Sequence, residues 1–151
     1  MLDKRIIRSD VLVSTICCRE KDRSEGLLPA FRRYRSARIR SAAGLARRAK
    51  LPFAILSGAF GLIDAATPIP YYDKLMEEGD LEEIAAKNAA YLKGKGIGDI
   101  VFLVPDPAAD PHVAPYLKSL EMAAAAAGCG LKTIFVPPYP KCSDISGKIK
   151  I

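Results

Sequence analysis

Four short runs of β-branched and aliphatic residues, at 10–17, 52–57, 99–104 and 131–136, punctuate this chain. The first reads Asp-Val-Leu-Val-Ser-Thr-Ile-Cys and the third Asp-Ile-Val-Phe-Leu-Val. Runs that are apolar at consecutive positions, rather than alternating, suit strands buried on both faces, as in a parallel sheet. Between the runs lie stretches whose apolar residues repeat with helical spacing. Strand and helix in alternation imply right-handed βαβ units. The expected fold is α/β, with three layers: a mainly parallel sheet of four to five strands and helices on both faces.

The helices are expected at 28–50, 80–92 and 113–127. In the first, Ala37, Ile39, Ala42, Ala43, Leu45 and Ala46 supply apolar positions, and Arg38, Arg40, Arg47 and Arg48 take much of the remaining surface. In the second, Asp80 is placed to cap, Glu82 and Glu83 lie near the positive end, and Leu81, Ile84, Ala85, Ala89 and Leu92 form the buried face. Asn88 falls on the same stripe and needs hydrogen-bond partners if buried. The third is rich in alanine, stops at Gly128 or Gly130, and is a candidate homo-oligomer interface. Gly58 and Gly61 mark a tight turn after the second strand, or a place where backbone approaches something closely, and residues 67–70, Thr-Pro-Ile-Pro, are held extended by proline. Residues 141–151 carry no assignable pattern.

A chain of 151 residues, half of them hydrophobic, fits one domain with a real core. A bilayer helix needs about 20 apolar residues. The longest candidate, 51–63, is interrupted by Pro52, Ser57, Gly58 and Gly61, so no membrane partner is expected. The N-terminus lacks the apolar stretch of a secretory signal. Cys17, Cys18, Cys129 and Cys142 form no C-x-x-C pair, and His112 is the sole histidine. Reduced thiols and a cytoplasmic location are expected, with no zinc spacing and no cofactor signature.

Charge is uneven: residues 1–50 hold 14 Lys and Arg against 5 Asp and Glu, and the remainder 9 against 12. A basic third attracts phosphates, or is simply a solvated helix face. The arginine-rich segment 32–48 is the candidate nucleic-acid contact.

In an open parallel sheet, ligands bind outside the carboxyl ends of the strands. The loop after the first strand, Cys17-Cys18-Arg19-Glu20-Lys21, is the leading candidate. Cations around a thiol favour thiolate, which makes Cys17 or Cys18 a candidate nucleophile, Cys17 first; a small buried hydrophobe is the commoner role. Arg19 and Lys21 are candidate anion contacts. Ser57 and Gly58, at the end of the second strand, offer a hydroxyl and a backbone N–H to a phosphate, or form a turn that caps itself. Tyr71 and Tyr72 are candidate groups to stack on a base or close over a ligand, or pack on the proline segment with their hydroxyls in water, and Asp73 is a candidate base or ribose contact. Asp106, Asp110 and His112 read first as turn formers and only second as metal ligands. No Walker A loop, G-x-G-x-x-G after a strand or G-x-S-x-G elbow is present.

Three stretches together resemble a known family. They are Ile16-Cys17-Cys18-Arg19-Glu20-Lys21, Leu56-Ser57-Gly58-Ala59-Phe60-Gly61-Leu62 and Ile69-Pro70-Tyr71-Tyr72-Asp73. They are similar to the Ser-Cys-Ser-x-x-Lys, Leu-Ser-Ala-x-Tyr-Gly-Leu and Pro-Tyr-Asp motifs of a bacterial, archaeal and phage group distantly related to the peroxide-stress protein YaaA. Cys17, Lys21, Leu56, Ser57, Gly61, Leu62 and Asp73 match. Ile16, Cys18, Gly58 and Phe60 depart from the pattern, and two hydroxyls are lost where serines are expected. The resemblance adds Gly61 to the candidate site and implies a nucleotide, nucleobase or nucleic-acid ligand. An enzyme acting on such a ligand, a non-catalytic nucleic-acid-binding module and an interaction subunit stay open at this point.

Overall fold

The structure, a computed structural model, describes residues 10–137. The elements in chain order are β1 (Val11–Ile16), β2 (Leu28–Pro29), α1 (Ala30–Arg33), α2 (Ala37–Ala49), β3 (Phe53–Ser57), β4 (Gly61–Asp64), β5 (Pro68–Ile69), α3 (Leu81–Gly94), β6 (Asp99–Val104), α4 (Ala114–Ala127) and β7 (Gly130–Phe135). Five strands form one sheet in the order β4-β3-β1-β6-β7, and β2 and β5 form a separate antiparallel pair. All pairings in the main sheet are parallel except β3 with β4. The expected three-layer α/β fold is present.

The sheet is buried on both faces by alternation. Along β6, Ile100, Phe102 and Val104 join Leu81, Ile84 and Leu92 of α3 and Leu120 and Ala123 of α4 in one cluster. Val101 and Leu103 join Val11 and Val13 of β1 and Ala42, Leu45 and Ala46 of α2 in another. Each large aliphatic side chain fully withdrawn from water contributes about 1.5–3 kcal/mol, so an uninterrupted apolar run is stable only at the centre of a sheet covered on both sides.

Three sequence expectations need correction. The single helix at 28–50 is a two-residue strand, the short helix α1 and then α2. Tyr34 is extended, Asp22 N–H donates to Arg33 O and Arg35 N–H donates to Glu20 O, so the backbone here pairs with the first loop instead of continuing the helix. Ser36 restarts it by accepting from Ile39 N–H. Second, the tight turn expected at Gly58 to Gly61 is present, but a strand not read from the sequence follows it: Ser57 pairs with Gly61 across a three-residue loop, and a fifth strand, β4, returns antiparallel. Gly61, at φ 74°, takes the left-handed position that such loops need. Third, Asp80 does not cap α3. A 3₁₀ turn, Glu78–Asp80, precedes that helix, and the Asp80 carboxylate accepts from Glu77 N–H and Lys74 Nζ.

The predicted buried face of α3 is buried as expected, and so is Asn88. Its Oδ1 accepts from Leu62 N–H at 2.9 Å and its Nδ2 approaches Ser119 Oγ at 3.4 Å, so this polar group is satisfied. Helix α4 begins at Ala114 after a 3₁₀ turn at Pro111–Val113, and Gly128 ends it at φ 72°. No helix among the described residues is long and apolar enough to cross a membrane. Cys17, Cys18 and Cys129 are free thiols, while Cys142 and the 141–151 segment lie outside the described residues.

Candidate functional site

The chain leaves β1 toward β3 on one side and later returns through β6 on the other. The loops after β1 and β6 therefore diverge, which opens a crevice at the carboxyl ends of two adjacent parallel strands. A cleft of about 630 Å³ lies there, within the range that holds small ligands. The last residue of β1 and residues 17–21 after it, the start of α2, a stretch of the 70–77 connection and residues after β6 line it. Its charged groups are Arg19, Lys21, Arg35, Arg38 and Lys74 against Glu20, Asp73 and Asp110.

Cys17 lies on the floor, 8% exposed, with its Sγ 3.7 Å from the hydroxyl of Tyr116. Cys18 donates its thiol hydrogen to Glu20 O, and burial pushes its pKa up to about 11 against the opposing pull of Arg38 and Lys21. It is a neutral thiol near neutrality. The Lys21 ammonium lies 4.7 Å from the centre of the Tyr72 ring and 5.9 Å from that of Tyr34. Two ring faces thus hold the charge at the cleft without neutralising it.

Behind this lysine runs a chain of hydroxyls. Tyr34 and Tyr72 share a short hydrogen bond, and Tyr72 is 2.8 Å from Ser57 Oγ. Ser57 Oγ accepts from Ala59 N–H and Phe60 N–H, both at 3.1 Å. With both lone pairs occupied, Ser57 has only its own hydrogen to give Tyr72. Burial is the main cause holding the phenols of Tyr34, Tyr72 and Tyr116 protonated well above the usual tyrosine range.

The buried guanidinium of Arg38 closes the wall. It donates to Thr15 Oγ1 and to the carbonyls of Ile16, at 2.7 Å, and Cys17, at 3.3 Å. Desolvation lowers its pKa, but arginine keeps its charge in proteins. The end of β1 is thereby fixed at the point where its loop enters the cleft.

The connection at 70–77 is pinned twice. Tyr72 binds the hydroxyl chain, and Met76 N–H donates to Tyr116 Oη at 3.2 Å. Between the pins, Asp73, Lys74 and Leu75 are exposed and line the cleft. Gly58 packs beneath this strap: a Cβ there would fall 2.6 Å from Tyr116 Oη and 2.9 Å from Lys74 O.

Of the residues singled out from the sequence, Cys17, Cys18, Arg19, Lys21, Asp73, Asp110 and His112 line the cleft. Tyr72 meets them through Lys21, and Ser57 and Gly58 support the strap from below. Gly61 faces Lys87 and Asn88 of α3 instead. Asp106 and Asp110 accept from Ala108 N–H and His112 N–H as turn formers. No group of three metal-ligating side chains gathers among the described residues. The arginine surface read at 32–48 needs correction: Arg33 and Arg38 are buried, and their guanidinium groups bind main-chain carbonyls.

Sequence reading missed Arg38, Tyr34 and Tyr116 as parts of this site. One signal for Arg38 was available. A cation in the first turn of a helix opposes the macrodipole, so an arginine there has another partner to satisfy. Tyr116 carried no comparable signal.

Fold and cleft together define an open, doubly wound α/β protein with a basic crevice at its switch point. Comparison with protein-family models, curated proteins and solved structures returns no match.

Proposed function

We propose that the chain binds a phosphate-bearing nucleoside compound in the switch-point cleft. The supporting observation is the convergence of Arg19, Lys21, Arg35 and Lys74 from three separate segments on one crevice, with Asp73 on the same wall; Arg35 and Lys74 are also paired with Asp22 and Asp80, so Arg19 and Lys21 carry the uncompensated charge among the described residues. Lys21, held over two aromatic rings, is a phosphate contact that costs little ordering on binding. Asp73 is the hydrogen-bond acceptor for a sugar hydroxyl or base N–H. Cys17, on the floor, and Asp73, at the rim, are the side chains positioned to act on a bound ligand if it is transformed. The motif resemblance to the YaaA-related group supports the same ligand class.

Calorimetry and thermal unfolding with nucleoside 5′-monophosphates, nucleosides and inorganic phosphate test this. A ligand at about 100 times its Kd stabilises the fold by about 2.7 kcal/mol. Monophosphates are expected to raise Tm more than nucleosides, and Lys21→Ala and Arg19→Ala to abolish the difference. If no nucleotide shifts Tm, the proposal fails. Cys17→Ala then separates binding from chemistry, because it retains affinity and loses turnover if the thiol reacts.

A further inference from the structure

Residues 27–50 contain eight Lys and Arg and no acidic residue. With Arg33 and Arg38 buried, the other six are exposed. Arg40 and Arg47 stand seven positions apart on α2, hence on one side of the helix and about 10 Å apart along it. No carboxylate pairs with either among the described residues. Helix α2 begins in the cleft wall, which includes Ser36 and Ala37, and ends before β3. Positive charge therefore extends from the crevice along the outside of the molecule, further than one nucleotide reaches.

A second feature adjoins the cleft elsewhere. The guanidinium of Arg23 lies 5.5 Å from the ring centre of Tyr71, which is 40% exposed. Arg23 is two residues beyond Lys21, and Tyr71 two residues before Asp73. A cation beside an exposed ring is a surface on which a base stacks. A free mononucleotide in the cleft uses neither feature.

We infer that the nucleotide taken by the cleft belongs to a single-stranded nucleic acid, whose adjoining base stacks on Tyr71 and whose backbone follows Arg40 and Arg47. This rests on the proposed nucleotide reading of the cleft. The aromatic platform distinguishes a base-bearing polymer from an anionic lipid surface or a sulfated polysaccharide.

The test is fluorescence anisotropy with short oligo(dT) and oligo(U), set beside calorimetry with the mononucleotide and binding of heparin, an anion without bases. The oligonucleotides are expected to bind more tightly than the mononucleotide and to weaken steeply with salt. Arg40→Ala with Arg47→Ala lowers the salt slope by about 1.4, at roughly 0.7 per phosphate contact on a single strand, and leaves mononucleotide affinity unchanged. Tyr71→Ala weakens oligonucleotide binding about tenfold and leaves heparin binding unchanged. If the mononucleotide binds, but the oligonucleotide binds no tighter and ignores the arginine pair, the strand inference is overturned while the cleft reading stands. If the oligonucleotide binds but Lys21→Ala does not weaken it, the strand does not enter the cleft, and the inference is again overturned. If neither ligand binds, both readings fall.

Discussion

Arg33 is fully buried, and no carboxylate pairs with it among the described residues. Its Nη1 donates to Asp22 O at 2.7 Å and Ser24 O at 3.0 Å, and its Nη2 to Gly26 O at 2.6 Å and Ile69 O at 3.1 Å. One guanidinium thus joins the loop after β1 to β5, directly before the strap. Replacing it with methionine keeps the apolar stem, removes four charge-assisted bonds and strands four carbonyls. Hydrogen bonds to charged groups contribute about 1.5–3 kcal/mol each, but removing the charge also returns its desolvation cost. What is left behind is neutral carbonyls rather than a charge, and four such bonds less a desolvation penalty of several kcal/mol leave a net cost of about 3–5 kcal/mol. For a chain of this size that lowers Tm by roughly 6–20 °C. Arg33→Lys retains charge but presents a point donor in place of a fork, and is expected to recover less than half of the loss. Calorimetry measures the global cost, and trypsin cleavage after Arg19, Lys21 and Arg23 measures local release of the loop. If Arg33→Met leaves both Tm and cleavage rate at wild-type values, Arg33 does not organise this loop.

Four further outcomes follow from particular contacts. Gly58→Ala drives a Cβ against Tyr116 Oη and Lys74 O, so it should cost about 1–3 kcal/mol in urea unfolding and speed trypsin cleavage at Lys74. Cys18, with its pKa near 11, should alkylate at pH 8 roughly a hundredfold more slowly in the native protein than in urea; equal rates by peptide mass mapping would contradict its burial as a neutral thiol. Burial opposes ionisation of Asp64, but hydrogen bonds from Tyr91 and Lys95 outweigh it and hold the carboxyl below its usual range. Its stabilisation is therefore present above the unfolded value of about 4 and lost as pH falls through the folded one; because the group is half-exposed it amounts to under about 1 kcal/mol, and Asp64→Asn should flatten stability between pH 5 and 3. Lys50 ends α2 at φ 59°, a conformation that glycine adopts without strain, so Lys50→Gly should stabilise by about 0.5–1 kcal/mol in the same unfolding assay.

How far the site was legible depended on what each residue contacts. Cys17, Arg19 and Lys21 were readable because they follow a strand that no other role could explain, and the ends of parallel strands face ligands. Asp73 was readable as a lone carboxylate and through its motif, but its place in the cleft depends on the pins at Tyr72 and Met76, whose partners Tyr34, Ser57 and Tyr116 lie far from it in sequence. Ser57 looked like a phosphate contact or a turn cap, and its oxygen is engaged by the amides of its own turn. The arginines of 32–48 were indistinguishable as a string, yet two are internal. Apart from the first-turn position of Arg38, nothing local separates a solvated arginine from one that meets carbonyls contributed by another segment.

By itself the sequence determined the layers: uninterrupted apolar runs can be stable only inside a covered sheet, and the helical stripes between them supply the cover. It also placed the basic loop at the end of β1. Only the tertiary structure decided that β6 lies beside β1 and opens the crevice, that β4 closes a hairpin at Gly61, and that Arg33 and Arg38 turn inward. Hydrophobic periodicity is written in neighbouring residues and survives without knowledge of the fold. Hydrogen bonding of a buried charge is a long-range geometric condition, met only once distant carbonyls have been brought to the same place.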